Sequence, residues 1–232
     1  MKRIYCILLL NILFISTYAQ LKKDTAMIER FNFEITNGGK DKAFIQKNGW
    51  LIVIDPPYSQ YEFAPIKEFY QIQKTYYKNG ILREKRIYLG RVRISSWEYF
   101  DEEGHQTKVV DEDAKFGTVK PRDIVKFIEE QGIFNRETGE SIFYDEPLMT
   151  DGNFYQQIIG KLQIELMIPE NTIAKETRAR LKMERYDNEK KHIPVWIISH
   201  CDRINTDITT YYIDGNDIKN FFVEKTKLYI EI

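Results

Sequence analysis

A short pattern that occurs twice in the middle of the chain constrains the fold more than any other feature. The segments 76–80 and 99–104, YYKNG and YFDEEG, are each an aromatic pair that leads into a polar turn ending in glycine. Glycine suits such turns because it adopts positive φ at little cost. The residues between the two turns are rich in β-branched and aromatic types, which predicts a meander of consecutive antiparallel strands over 76–110.

The spacing of these residues also resembles a known repeat. The resemblance is to the MORN-repeat variant found in bacterial exported proteins, some of which carry an antitoxin-component label, and it implies β-hairpins without a catalytic group. Repeats of this kind place a glycine two residues before the tryptophan, where this chain has Ser95. We therefore expect the meander to deviate first at Ser95. The matching positions are Tyr77, Asn79, Gly80, Leu82, Tyr88, Gly90, Trp97, Tyr99, Asp101 and Gly104.

Residues 1–19 have the three parts of a secretory signal peptide. Lys2 and Arg3 precede an apolar run from Ile4 to Ile15, and small residues end at Ala19. A run of about a dozen apolar residues is short for a bilayer, which takes about 20. We expect cleavage after this segment, export to the periplasm or the cell exterior, and no membrane span in the mature chain. An uncleaved anchor is the alternative.

Cleavage would change both the charge and the cysteine content. It removes two of the 34 basic residues and none of the 35 acidic ones, so the net charge goes from −1 to about −3. A near-balanced charge without a basic block provides no electrostatic footprint for nucleic acid. Cleavage also removes Cys6 and leaves Cys201 as the only cysteine. The mature chain is then expected to have no internal disulfide and to be stabilised by its core.

The rest of the chain is predicted to form a β-rich module at 20–115 and an α+β module at 116–232. In the first module, alternation favours a strand at 31–35. The continuous apolar run at 50–54 predicts a strand buried on both faces. Segment 58–63 lies among prolines and is expected to be an irregular aromatic loop.

The second module begins with a clear helix signal at 121–131. Its apolar residues share one helical face, Pro121 suits the first turn and Gly132 suits the stop. Segment 133–153 is predicted to be a connector with a possible short strand at 142–144, and 171–186 favours a helix, with a strand as the alternative. The predicted class is α+β: an antiparallel meander of MORN-variant hairpins, then a helix and a small C-terminal α/β module. Strands are predicted at 162–168, 195–198 and 209–213.

Little in the sequence indicates catalysis. His200 and Cys201 have the residue types of a base and a nucleophile, but neighbours on a strand point to opposite sides. Segment 111–113, DED, lacks the spacing of a calcium loop, and no zinc-ligand spacing occurs. We therefore predict no catalytic residues, no cofactor and no metal.

Two functions remain open. The favoured one is an exported, non-enzymatic binding or envelope-associated scaffold protein whose partner is an unknown protein or envelope component. The alternative is a small exported hydrolase that uses the His200–Cys201 region or carboxylates such as Glu98, Asp101 and Glu102, because a glycosidase pair is defined by the fold. For binding, we expect contacts from aromatic residues of the meander and of segment 58–63, namely Tyr58, Tyr61, Tyr77, Tyr88, Trp97 and Tyr99.

Overall fold

A computed structural model describes most of the chain. The described residues are 28–33, 42–46, 48–55, 57–148, 151–167, 176–177, 179–181, 194–201 and 207–227. The predicted signal peptide and most of segment 171–186 lie outside these ranges. Within them, the structure contains no helix with the length and apolar character needed to cross a membrane.

The first sheet contains seven antiparallel strands in the same order as in the chain. Each strand pairs with its sequence neighbour because short turns connect most of them. The meander predicted over 76–110 is confirmed, and so is the doubly buried strand, now β2. The strands are β1 (Lys42–Ile45), β2 (Leu51–Asp55), β3 (Ser59–Phe63), β4 (Gln71–Tyr76), β5 (Leu82–Leu89), β6 (Val92–Phe100) and β7 (Gln106–Asp111).

The two copies of the repeated pattern contact each other directly. The Tyr77 hydroxyl donates to the Phe100 carbonyl at 2.8 Å, and Asn79 Nδ2 donates to the Glu102 carbonyl at 3.1 Å. Each acceptor lies 23 residues beyond its donor. Side chains of the first turn therefore bind the equivalent backbone of the second, which is a physical reason for the pattern to recur.

Residues 28–33 form an N-terminal strap across these turns, and the strand predicted at 31–35 is wrong in its described part. Arg30 makes an isolated bridge with Ile81, but residues 31–33 belong to no strand. Phe33 covers Gly80 so closely that a Cβ there would lie 2.6 Å from the Phe33 ring. The strap follows the turn surface because ring packing on the glycine replaces continuous strand pairing.

The irregular loop predicted at 58–63 is also wrong, because most of it is β3. Tyr61 pairs with Val53 and Gln73, in the middle of the sheet. The Phe63 ring is buried, and Tyr61 packs against the same core. The alternation of these two rings was the strand signal, and the prolines mark the ends of the strand rather than its interior.

Helices of 10 and 8 residues and a second antiparallel sheet follow β7 and a short 3-10 helix (Glu112–Lys115). The described residues 176–177 and 179–180, within the helix predicted at 171–186, are helical as well. The helix predicted at 121–131 is confirmed as α1, and the strands predicted near 162, 195 and 209 are confirmed as β8, β9 and β10. The second sheet has the order β11-β10-β9-β8. The elements are α1 (Pro121–Glu130), α2 (Gly152–Ile159), β8 (Leu162–Met167), β9 (Val195–Cys201), β10 (Asp207–Asp214) and β11 (Phe221–Lys227).

The structure of segment 133–153 differs from the predicted connector with a short strand. Residues 142–144 form no strand, and α2 begins inside the segment, at Gly152. Asp151 is the N-cap of this helix, and its side chain accepts from the Asn153 N–H at 2.9 Å. The Asp-Gly pair has turn chemistry and N-cap chemistry at once, so the local sequence does not choose between them. The polar edge strand β11 was not predicted either.

A shared core joins the two sheets. The largest buried cluster includes Phe63 from β3, Tyr155 from α2 and Trp196 from β9. The Tyr155 hydroxyl accepts from the Gly90 N–H at 2.9 Å, in the turn between β5 and β6. Burial raises the pKa of Tyr155 above its usual range, so it remains a neutral hydroxyl. The core crosses the predicted module boundary at residue 115, and the division into two modules stays a prediction.

Ser95 departs from regular strand geometry, as expected. Its φ is +60°, in the left-handed region. The register of β5 and β6 shifts here, because Ile87 pairs with Ile94 while Lys85 pairs with Glu98. The extra residues form a bulge, and Asp113 Oδ1 accepts from the Ser95 N–H at 2.7 Å.

We expect Ser95→Gly to raise the free energy of unfolding by about 0.5–1 kcal/mol, because glycine removes the cost of positive φ and this gain exceeds its entropy cost in the unfolded chain. Urea denaturation measures the change. Ser96→Gly, at the neighbouring position without positive φ, serves as the control and should destabilise. Equal destabilisation by the two changes would contradict a strained Ser95.

We expect Gly90→Ala to destabilise the protein much more than Gly132→Ala, although the two glycines have similar positive φ. Gly90 has φ +60°, and a Cβ there would lie 2.9 Å from Ile164 Cβ and 3.1 Å from the Ile164 carbonyl oxygen. Gly132 has φ +69° with no atom within 4 Å of its Cβ position. We expect a loss of about 1 kcal/mol for Gly132→Ala and about 2–4 kcal/mol for Gly90→Ala by urea denaturation. Equal losses of stability would mean that the close approach of Ile164 to Gly90 adds nothing to the cost of Gly90→Ala.

Candidate functional site

One side of the first sheet carries a group of aromatic and cationic side chains, which we call the aromatic–cationic face. The pairing places Tyr88 opposite Arg93 and Tyr99 opposite Lys108. Directly opposed residues and alternate residues of a strand project to the same side. The face therefore spans β5, β6 and β7. Its residues are Arg86, Tyr88, Arg93, Trp97, Tyr99 and Lys108.

Trp97 lies at the centre of this face. The guanidinium carbons of Arg86 and Arg93 each lie 4.4 Å from the Trp97 ring centroid. Tyr99 stacks on Trp97 at 4.9 Å, and Lys108 Nζ lies 5.4 Å from the Tyr99 centroid. Cations at such distances are attracted to the ring electrons, so the arginine side chains are held in place.

The carboxylates of this region are buried beneath the cations. The side chains of Glu84 and Glu112 are 8 % and 12 % exposed, whereas those of Arg86, Arg93 and Lys115 are 25 %, 45 % and 27 % exposed. Arg86 Nη2 lies 2.8 Å from Glu84 Oε2, and Lys115 Nζ lies 2.7 Å from Glu112 Oε2. Solvent therefore meets mainly positive charge here.

Glu84 is held in its ionised form. Burial alone would raise the pKa of the Glu84 carboxyl, but hydrogen bonds from Arg86, Thr75 and Arg83 outweigh this and lower the pKa below its ordinary value. Two donors on the same face are not satisfied in this way. Arg86 Nε and Trp97 Nε1 are buried and have no hydrogen-bond partner among the described residues. The face is thus rich in donors and poor in accessible acceptors.

The structure brings together most of the aromatic residues predicted for binding. Tyr88, Trp97 and Tyr99 lie on the face, and Tyr61 continues it through Gln73, which is paired with both Tyr61 and Arg86. All of the predicted aromatic residues are half-buried rather than fully exposed.

Tyr58 and Tyr77 lie elsewhere. Tyr58 packs against a second buried cluster and contacts Phe33 edge-to-face, and the Tyr77 hydroxyl is bonded within the turns.

Sequence reasoning missed the cations of the face. Alternation of Arg86 with Tyr88 along one strand is the signal that could have identified them.

The residues considered for catalysis do not form a common site among the described residues. His200 and Cys201 are neighbours on β9, with His200 buried between Phe143 and Tyr211. Glu98 pairs with Lys85 on the side of the sheet opposite the face. In the described part of the chain, no group of three or more His, Cys, Asp or Glu residues could hold a metal ion.

A groove of about 470 Å³ opens between the β5–β6 hairpin, residues 68–70 and the start of α1. Both non-glycine residues with positive φ in the described chain, Phe69 at +48° and Ser95 at +60°, line this groove. Strained backbone of this kind is concentrated at functional sites. The apolar lining includes Phe69, Tyr70, Leu89, Ile94 and Val125, and the charged lining consists of Glu68, Asp113, Lys120, Arg122 and Arg136.

Comparison with known proteins identifies no relative. No family model matches the chain, and neither the curated proteins nor the solved structures include a significant match. The resemblance of segment 76–110 to MORN-variant repeats therefore stays a prediction, and function has to be argued from the site.

Glu84→Gln tests the charge arrangement of the face. Because the folded state lowers the pKa of Glu84, its ionised form stabilises the protein above the ordinary carboxyl pKa of 4.5, and this contribution is lost as pH falls through the lowered value. We expect a loss of about 1–3 kcal/mol at pH 7 by urea denaturation, shrinking at more acidic pH. Glu103→Gln, in an exposed turn, is the control. A loss independent of pH would show that the carboxylate charge is not involved.

Proposed function

We propose that this chain is an exported, non-enzymatic binding protein and that its aromatic–cationic face holds an anionic group of a protein or envelope partner. The burial of carboxylates beneath more exposed cations carries this proposal. Glu84 forms ion pairs with Arg83 and Arg86, and Glu112 forms ion pairs with Arg93 and Lys115. Two negative charges therefore balance only two of these four positive charges. Lys108 adds another positive charge on the same side of the sheet.

Preorganisation supports binding at this face. Arg86 and Arg93 are the residues that a partner carboxylate or phosphate would meet, and both are already held against the Trp97 ring. A guanidinium that is fixed before binding loses little conformational freedom when an anion arrives.

The surroundings limit the size of the partner. The acidic segment 101–103 lies at one end of β7, beside the cations. A long polyanion such as nucleic acid would meet these acids and be repelled by them. The arrangement favours a compact anionic group or a short acidic segment, in keeping with the prediction that nucleic acid is not the partner.

The experiment compares capture of partners from envelope extract by the mature chain and by two charge variants. Reversing Arg93 and Lys108 together, as Arg93→Glu with Lys108→Glu, should lower the amount captured at low salt by about ten-fold, because attraction becomes repulsion. Raising the ionic strength should weaken capture by the native chain. The control is Arg91→Glu, an exposed cation that pairs with Glu165 away from the face.

Unchanged capture by the double variant would refute the proposal, and so would an equal loss in the control. Circular dichroism of each variant checks that the sheet remains folded. Arg93 and Lys108 are exposed, so the fold is expected to tolerate both changes.

A further inference from the structure

The groove beside Ser95 has features of a second binding site, separate from the aromatic–cationic face. Its floor is apolar, with Leu89 and Val125 buried and Ile94 half-buried. Its volume of about 470 Å³ is within the range of small-molecule pockets. Ile94 and Trp97 lie on opposite sides of β6, so the groove and the face are on opposite surfaces of the same strand.

The charges on the groove wall formed by α1 are poorly compensated. Arg122 is 89 % exposed, and its pairing with Asp123 is long, at 3.8 Å. No carboxylate of the described residues forms an ion pair with Lys120. Both cations lie at the start of α1, where the helix itself is positive and where cations are unfavourable. This wall therefore attracts an anion.

The other charged groups of the groove are Arg136, Asp113 and Glu68. Glu129 binds Arg136 through both oxygens, at 2.9 Å and 2.8 Å, which neutralises it. Asp113 accepts the Ser95 N–H but keeps its negative charge. Asp113 and the exposed Glu68 therefore both oppose an anion, and a charge-removing change at Glu68 measures this repulsion.

We infer that this groove binds a small amphiphile with an apolar chain and an anionic head. The chain lies on Leu89, Ile94 and Val125, and the head lies beside Lys120 and Arg122. Removal of the chain from water drives binding, and the two cations select the head group. The inference does not depend on the function proposed for the aromatic–cationic face.

Isothermal titration of the full mature chain with decanoate, below its micelle concentration, tests the inference, with decanol as the uncharged analogue. We expect decanoate to bind at least about five-fold more tightly than decanol, and each methylene added to the carboxylate to tighten binding by about four-fold. Equal affinity of decanoate and decanol would overturn the role of the cations. Absence of decanoate binding would overturn the site altogether.

Matched variants locate the binding. Arg122→Gln should weaken decanoate binding by about five-fold, whereas Lys126→Gln, on the same helix but outside the groove, should leave it unchanged. Arg122→Gln also removes a cation from the positive end of α1, so it should not unfold the helix. Glu68→Gln should tighten decanoate binding, because it removes a negative charge. An equal effect of the Arg122 and Lys126 changes would refute the site.

A larger side chain that fills the groove tests whether its apolar floor binds the apolar chain of the ligand. Ile94→Trp should abolish binding, while Ile87→Trp, at the position paired with Ile94 on the neighbouring strand but outside the groove lining, should retain it. Thermal denaturation of both variants checks that each is folded. Normal decanoate binding by folded Ile94→Trp would place the ligand elsewhere and overturn the inference.

Discussion

The turn between β5 and β6 connects the two sheets, and most other features depend on its position. Gly90 donates its N–H to the buried Tyr155 hydroxyl, and Arg91 donates its N–H to the Ile164 carbonyl of β8 at 3.0 Å. The missing side chain of Gly90 allows Ile164 to approach this closely. The β5–β6 hairpin is thus fixed at its turn by these bonds. The rest of β6 has to pair with β5 from that fixed position.

The adaptation occurs at the Ser95 bulge. It changes the register between β5 and β6, and Asp113 holds it by accepting the Ser95 N–H. The bulge lies between Ile94, which lines the groove, and Trp97, which is the centre of the aromatic–cationic face. A strained residue in this place affects both proposed sites, because it sets the direction of the side chains on either side of it.

The electrostatic arrangement of the face follows from the pleat of the sheet. Alternation places Glu84, Arg86 and Tyr88 on the same side of β5, and the neighbouring strand adds Arg93 and Trp97. A short acidic side chain at this surface is covered by longer basic ones, since arginine can extend over its partner and over a ring. The result is a surface with fixed cations.

Local pattern in the sequence determined the meander, its turns, α1 and strands β8 to β10, because alternation, glycine turns and a helical apolar face act over a few residues. Ser95 was indicated by the resemblance to MORN-variant repeats, which have glycine at this position. Only the tertiary structure decided that Asp151 caps a helix and that Phe33 covers Gly80. These depend on contacts with distant segments. The aromatic–cationic face was predictable only in part: its rings were visible in the sequence, whereas the cations around Trp97 were brought together by the pairing of three strands.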